Sequence, residues 1–166
     1  MNTHAQAISG QRALRKARVS IPGQIYFVTT VTSSRERFFD DTDAARAVAR
    51  IFADTGIWQE SELLAWVLMP DHAHMLLRLG GEESLHCLMQ RIKSHAARAA
   101  NSTLSRSGQV WQPGYHDHAL REDEDVVSTA RYLIANPIRA GLVSNVGQFP
   151  YWDAVWLTRG GDPLDP

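Results

Sequence analysis

Two histidines, His72 and His74, stand either side of Ala73 in the apolar stretch 63–79. On a β-strand successive side chains alternate faces, so the two imidazoles point one way while Ala73, Met75 and Leu77 point the other. A pair of neutral imidazoles on one face can take two adjacent positions on a divalent cation. The spacing therefore describes a strand with metal-binding groups on one side and core on the other. A purely structural histidine pair has the same spacing, so the motif needs a partner group before it implies chemistry.

That partner can be Tyr132. Along a helical pattern starting at Asp123, residues Val126, Val127, Ala130, Leu133 and Ile134 fall within one stripe of about 120°. The same count puts Tyr132 roughly 180° from the middle of the stripe, with Asn136 one turn further along nearly the same face. A phenol has a pKa of about 10 and is a weak nucleophile while protonated. A cation that polarises a phosphodiester and neutralises transition-state charge supplies part of the activation it needs. Two imidazoles, the amide oxygen of Asn136 and substrate or water oxygens suit Mg²⁺ or Mn²⁺, with nitrogen ligands favouring Mn²⁺ and cellular abundance favouring Mg²⁺. Each group also has a plain alternative, since Tyr132 can be an ordinary surface tyrosine and Asn136 a helix-terminating residue.

The elements that must position these groups follow from periodicity and punctuation. Residues 24–32, rich in β-branched and aromatic side chains after Pro22-Gly23, read as a strand. Residues 41–55 read as a helix that Asp41 or Thr42 caps and Gly56 closes. Residues 63–69 and 72–79 read as two strands broken at Pro70-Asp71, hence a hairpin, ended by Gly80-Gly81. Leu85, Leu88, Met89, Ile92, Ala96 and Ala99 mark a long amphipathic helix, followed by a polar loop over 101–108. Residues 109–120 are strand-like but interrupted by Pro113-Gly114, and a last helix over 123–135 ends at Asn136-Pro137. This order predicts an α+β chain with a ferredoxin-like (split βαβ) antiparallel sheet and helices on one face. The other face is then open to a ligand and carries the histidines, with the Tyr132 helix as a C-terminal addition. Residues 1–20 are expected to form a flexible basic arm, 21–157 a single domain, and 158–166 a frayed tail.

With 166 residues, 44% of them hydrophobic, the chain has the size and apolar content of one domain. A net charge of −1 gives no overall pull toward nucleic acid, but basic residues gather over 1–40 and 85–121, which can build a local basic surface. Ordinary solvated surface is the competing reading. The single Cys87 excludes an internal disulfide and a cysteine-built zinc site, and its helical setting predicts a buried thiol. No run of about 18 apolar residues predicts a membrane span. No apolar signal-peptide core opens the chain, so the cytoplasm is the expected compartment.

Four stretches occur together and in order: Pro70-Asp71-His72-Ala73-His74; the Arg91-Ile92-Lys93 helix; residues 110–121, with Trp111, Gln112, Tyr115, His118 and Arg121; and residues 131–143, with Tyr132, Asn136, Pro137 and Arg139. In this combination the chain resembles the single-tyrosine HUH transposases, and within them the REP-associated tyrosine transposases, over residues 23–156. The resemblance implies that His72 and His74 are metal ligands and that Tyr132 is the nucleophile. Asn136 stands where related enzymes carry a glutamine ligand. Tyr115 competes for the nucleophile role, although the family pattern accepts phenylalanine there. Arg91, Lys93, Trp111, His118, Arg121 and Arg139 are implied as nucleic-acid contacts, Trp111 by stacking on unpaired bases, while His118 and Arg121, which match a recurrent H-x-x-R element, are implied either to support the site or to contact a phosphate. The implied chemistry is transesterification of single-stranded DNA beside a palindromic hairpin (a repetitive extragenic palindrome). It uses Mg²⁺ or Mn²⁺ and a 5′-phosphotyrosine intermediate, on a monomer or homodimer without membrane attachment. A regulator that binds such DNA without cleaving it is the competing reading. A histidine-triad hydrolase would need a third histidine where Leu76 stands. A metal-free RNA endonuclease would use His116 or His118 as acid or base.

Overall fold

The computed structural model describes residues 20–157. Apart from Ser20, the arm expected over 1–20 and the tail expected over 158–166 lie outside the described residues. Strands β1 (Ile25–Val31), β2 (Glu62–Met69), β3 (His72–Arg78), β4 (His116–Ala119) and β5 (Trp152–Ala154) form one antiparallel sheet in the order β4-β1-β3-β2-β5. Helices α1 (Thr42–Ala53) and the short α2 (Thr55–Trp58) connect β1 to β2, and α3 (Leu85–Thr103) connects β3 to β4. Helices α4 (Val126–Ile134) and α5 (Asn136–Arg139) follow β4. The order β4-β1-β3-β2, with β3 inserted between β1 and β2, is the one a split β-α-β unit produces.

Local chemistry explains the boundaries. The carboxylate of Asp41 accepts hydrogen bonds from the amides of Asp43 and Ala44, so α1 begins at Thr42. Ser84 caps α3 through the Cys87 amide, and Asp125 caps α4 through the amides of Val127 and Ser128. After β3 the chain passes so close to Glu60 that a Cβ on Gly80 would lie 1.8 Å from the Glu60 carbonyl oxygen, a position only glycine fills. Pro137 sits in the first turn of α5, where its missing N–H costs no helical bond, so the chain restarts a helical turn after α4.

Val28, Leu68, Met75 and Leu77 turn to one sheet face and pack with Val48, Phe52, Leu88, Met89 and Ile92 of α1 and α3. The other face holds Leu64, Val67, Met69 and Leu76, covered by Ala130, Leu133 and Ile134 of α4. The expectation of helices on one face alone is thereby corrected. Strands β2 and β3 are apolar on both faces, so the second face also needs a cover. That cover is α4, which packs chiefly over β2 and β3, with Ile25 and Phe27 of β1 at the margin of the same cluster.

Three smaller expectations also change. Helix α3 continues to Thr103, through the start of the expected polar loop. Residues 152–154 add β5 beside β2, a strand too short to show a period. Cys87 is exposed rather than buried, because two positions after Leu85 it falls opposite the Leu88, Met89 and Ile92 stripe. Among the described residues no helix is long and apolar enough to cross a membrane.

Candidate active site

Register places the histidines. In β3, His72 lies opposite Val31 of β1 and Met69 of β2, and His74 opposite Thr29 and Val67. They share the face of Leu76, toward α4. The Nδ1 of His72 is 2.6 Å from Oδ1 of Asp71, whose other oxygen accepts from Arg35 at 3.2 Å. Burial works against the charge on Asp71, yet the bonds and charges of His72 and Arg35 hold its carboxyl below the ordinary range. The Nδ1 of His74 is 2.8 Å from the hydroxyl of Thr29. The two rings stand 4.8 Å apart at 77°. Among the described residues no hydrogen bond engages either Nε2. His74 is pushed down to about 4, first by burial, then by His72 and Arg139, so its imidazole is neutral at pH 7.

This donor set fits a cation in an open site. Each ring is fixed through Nδ1 by a neighbouring oxygen, the arrangement that presents Nε2 to a metal. Among the described residues no third His, Cys, Asp or Glu completes a cluster. The remaining positions would fall to oxygens from an amide, water or substrate.

Tyr132 projects from α4 away from its buried stripe of Ala130, Leu133 and Ile134, and is 61% exposed. It lines a cleft of about 450 Å³ with Phe27, His118, Glu124, Asp125, Ser128 and Thr129. Phe27 and His118 are cross-strand partners on β1 and β4, so the cleft runs between that edge of the sheet and α4. The Phe27 ring is 5.5 Å from that of His74. The Arg139 guanidinium stacks 3.8 Å over the Tyr132 ring and is near enough for its charge to be felt at His74. The phenol and the histidine pair are therefore on one side of the sheet, connected through Phe27 and Arg139. Tyr115 packs against the core of the opposite face.

The other anticipated residues divide. Asn136 is half-buried, with its amide nitrogen donating to the Leu133 carbonyl at 2.8 Å, which leaves its oxygen as the acceptor. His118 lines the cleft, with Nε2 at 3.0 and 3.1 Å from the two oxygens of Glu124, and the Arg121 amide donates to the same carboxylate. Three anticipated DNA contacts are built into the scaffold instead. The guanidinium of Arg91 grips both oxygens of Glu83 and donates to the Ile57 carbonyl. Lys93 donates to the carbonyls of Gln112 and Gly114, fixing the loop ahead of β4. Trp111 is 5% exposed and packs 5.3 Å from Phe39, so its ring is a core group and not a platform for a base. Residue types had suggested cations and a stacking ring, but the partners that occupy them come from 8 to 72 positions away along the chain, beyond any periodicity. Sequence reasoning missed Thr29, Phe27 and Glu124. Only strand register shows the first two, whereas Asp71, beside His72, was visible as a neighbouring carboxylate.

The fold is that of a transposase. The sequence pattern of the family described as "Transposase IS200 like" matches residues 21–136, and the chain belongs to that family. More particularly, its relatives are REP-associated tyrosine transposases. One from Escherichia coli K12 is 30% identical over 94 residues, 54% of this chain and 52% of its own length. A Haemophilus influenzae protein assigned by name to the same group is 25% identical over 139 residues, 78% of either chain. A solved REP-associated tyrosine transposase, bound to a REP hairpin, matches with a TM-score of 0.67 and 25% identity over 89% of this chain and 87% of its own.

Proposed function

We propose that this chain is a metal-dependent single-stranded DNA transesterase that binds a palindromic hairpin and cleaves beside it through Tyr132. The observation that carries the proposal is the position of the Tyr132 phenol on the same sheet face as His72 and His74, with Phe27 and Arg139 between them. Helix α4 holds the phenol outward by burying its opposite stripe, so the nucleophile is accessible without local unfolding. Asp71 and Thr29 orient the imidazoles. The cleft beside Tyr132 is lined by Phe27, and Arg139, stacked on the Tyr132 ring, supplies positive charge beside the phenol. A bound Mg²⁺ or Mn²⁺ would polarise the scissile phosphate and neutralise charge in the transition state. Attack by the Tyr132 oxygen forms a phosphotyrosine at the 5′ end and frees a 3′-hydroxyl, and because the bond energy is retained the strand can be rejoined. A cytoplasmic location fits this role.

Incubation with a labelled hairpin oligonucleotide and Mn²⁺ should give a denaturation-resistant protein–DNA adduct. Tyr132→Phe and EDTA should each abolish it while hairpin binding persists. An adduct that survives Tyr132→Phe refutes the nucleophile assignment. Hairpin binding by the wild-type chain with no adduct under any metal condition makes it a binding protein instead.

A further inference from the structure

We propose that His118 takes the hydroxyl proton of Tyr132 during attack, and that Glu124 is its positioning residue. This rests on the transesterase reading above. Tyr132, His118 and Glu124 line one cleft, the first and third from either end of α4 and its lead-in, the second from the edge strand β4. The Nε2 of His118 faces both carboxylate oxygens of Glu124, at 3.0 and 3.1 Å. The carboxylate is itself anchored, because its Oε2 accepts the Arg121 backbone amide at 2.7 Å. The Arg121 amide first, and His118 after it, hold the Glu124 carboxyl below its ordinary range, so it is an anion at neutral pH. An anion facing Nε2 favours the tautomer with hydrogen there, which leaves the Nδ1 lone pair as the base. A nucleophile, a histidine and a carboxylate that orients the histidine form the arrangement by which hydroxyl nucleophiles are activated. The alternative is an exposed ion pair that tacks β4 to α4. With side chains 52% and 37% exposed, such a pair contributes little to stability.

In the step proposed, the Tyr132 proton passes to Nδ1 of His118 as the bond from the phenol oxygen to phosphorus forms. The bond from phosphorus to the 3′ oxygen breaks, and that oxygen takes a proton from water. On rejoining, the 3′-hydroxyl loses its proton to solvent and attacks, and the imidazolium returns a proton to the departing phenolate.

The test is single-turnover adduct formation by the full chain on a hairpin oligonucleotide, alongside hairpin affinity. His118→Ala should slow adduct formation by about 10²- to 10⁴-fold, with affinity unchanged and the rate partly restored by added imidazole. Glu124→Gln should slow it less, and Glu124→Asp should recover part of that loss. A substrate with sulfur in place of the bridging 3′ oxygen has a leaving group that needs no proton, so the His118→Ala defect should persist on it. Full recovery on that substrate overturns the assignment by moving the role to the leaving group. A rate equal to wild type, or a fall in affinity that matches the fall in rate, also overturns it. Failure of the wild-type chain to form any adduct refutes the transesterase reading itself. A wild-type adduct with an undiminished His118→Ala rate refutes only the role of His118.

Discussion

His72 and His74 are held by different means. Both are half-buried, but His72 meets Asp71 at the strand entrance, whereas His74 lies against Thr29 and Phe27. Replacing either by alanine should remove cleavage and leave most hairpin affinity, measured by adduct yield and by gel shift in parallel. Equal loss of both would make the pair structural. Trp111 makes the opposite prediction. Its ring is in the core beside Phe39, so Trp111→Ala should lower folding stability by about 3–5 kcal/mol in denaturant titration. A well-folded variant that has lost only DNA affinity would return Trp111 to the interface. The placement of the two histidines on one strand face and of Tyr132 off its helix's buried stripe was legible from spacing alone, because alternation on a strand and rotation around a helix are fixed by backbone geometry. The fate of Trp111, Arg91 and Lys93 was not, because their partners meet them only in the tertiary fold.

Helix α4 is nine residues long and carries the proposed nucleophile, so its first turn matters. Asp125 caps that turn, and its carboxyl is held below the ordinary value of 3.8 by the amides of Ser128 and Val127. The sign follows from linkage: a carboxyl whose folded pKa is depressed stabilises fully above its unfolded value and loses that contribution as pH falls through the folded value. Asp125→Ala should therefore lower the melting temperature at pH 7 and leave it nearly unchanged well below pH 3.8, where wild type has lost the cap too. An equal difference at both pH values would deny the cap its electrostatic part. The main strands and helices were readable to within a few residues, from helical periods with caps in α1, α3 and α4 and from apolar or β-branched runs bounded by proline or glycine in β1, β2 and β3. The second-face cover by α4 was not foreseen. The apolar character of Leu64, Val67 and Leu76 on the histidine side was the available signal.

Charge on the whole molecule is less free than composition suggests. Several arginines of the two basic stretches have internal partners: Arg35 with Asp71, Arg37 with Asp40, Arg91 with Glu83, and Arg106 with Asn101 and the Phe38 ring. Arg139 stacks on the Tyr132 ring, and Arg121 is exposed just beyond β4. Neutralising Arg121 or Arg139 with glutamine should each reduce the slope of log affinity against log salt by about one. Arg91→Gln should leave the slope alone and lower the melting temperature. A reduced slope for Arg91→Gln would show that its grip on Glu83 opens to DNA.

The most direct measurement is where DNA attaches. Trapping the adduct on a hairpin substrate with Mn²⁺, digesting both polymers and sequencing the peptide by mass spectrometry should find nucleotide joined through its 5′ phosphate to Tyr132. Attachment at Tyr115, or at any residue on the opposite sheet face, would contradict the site described here.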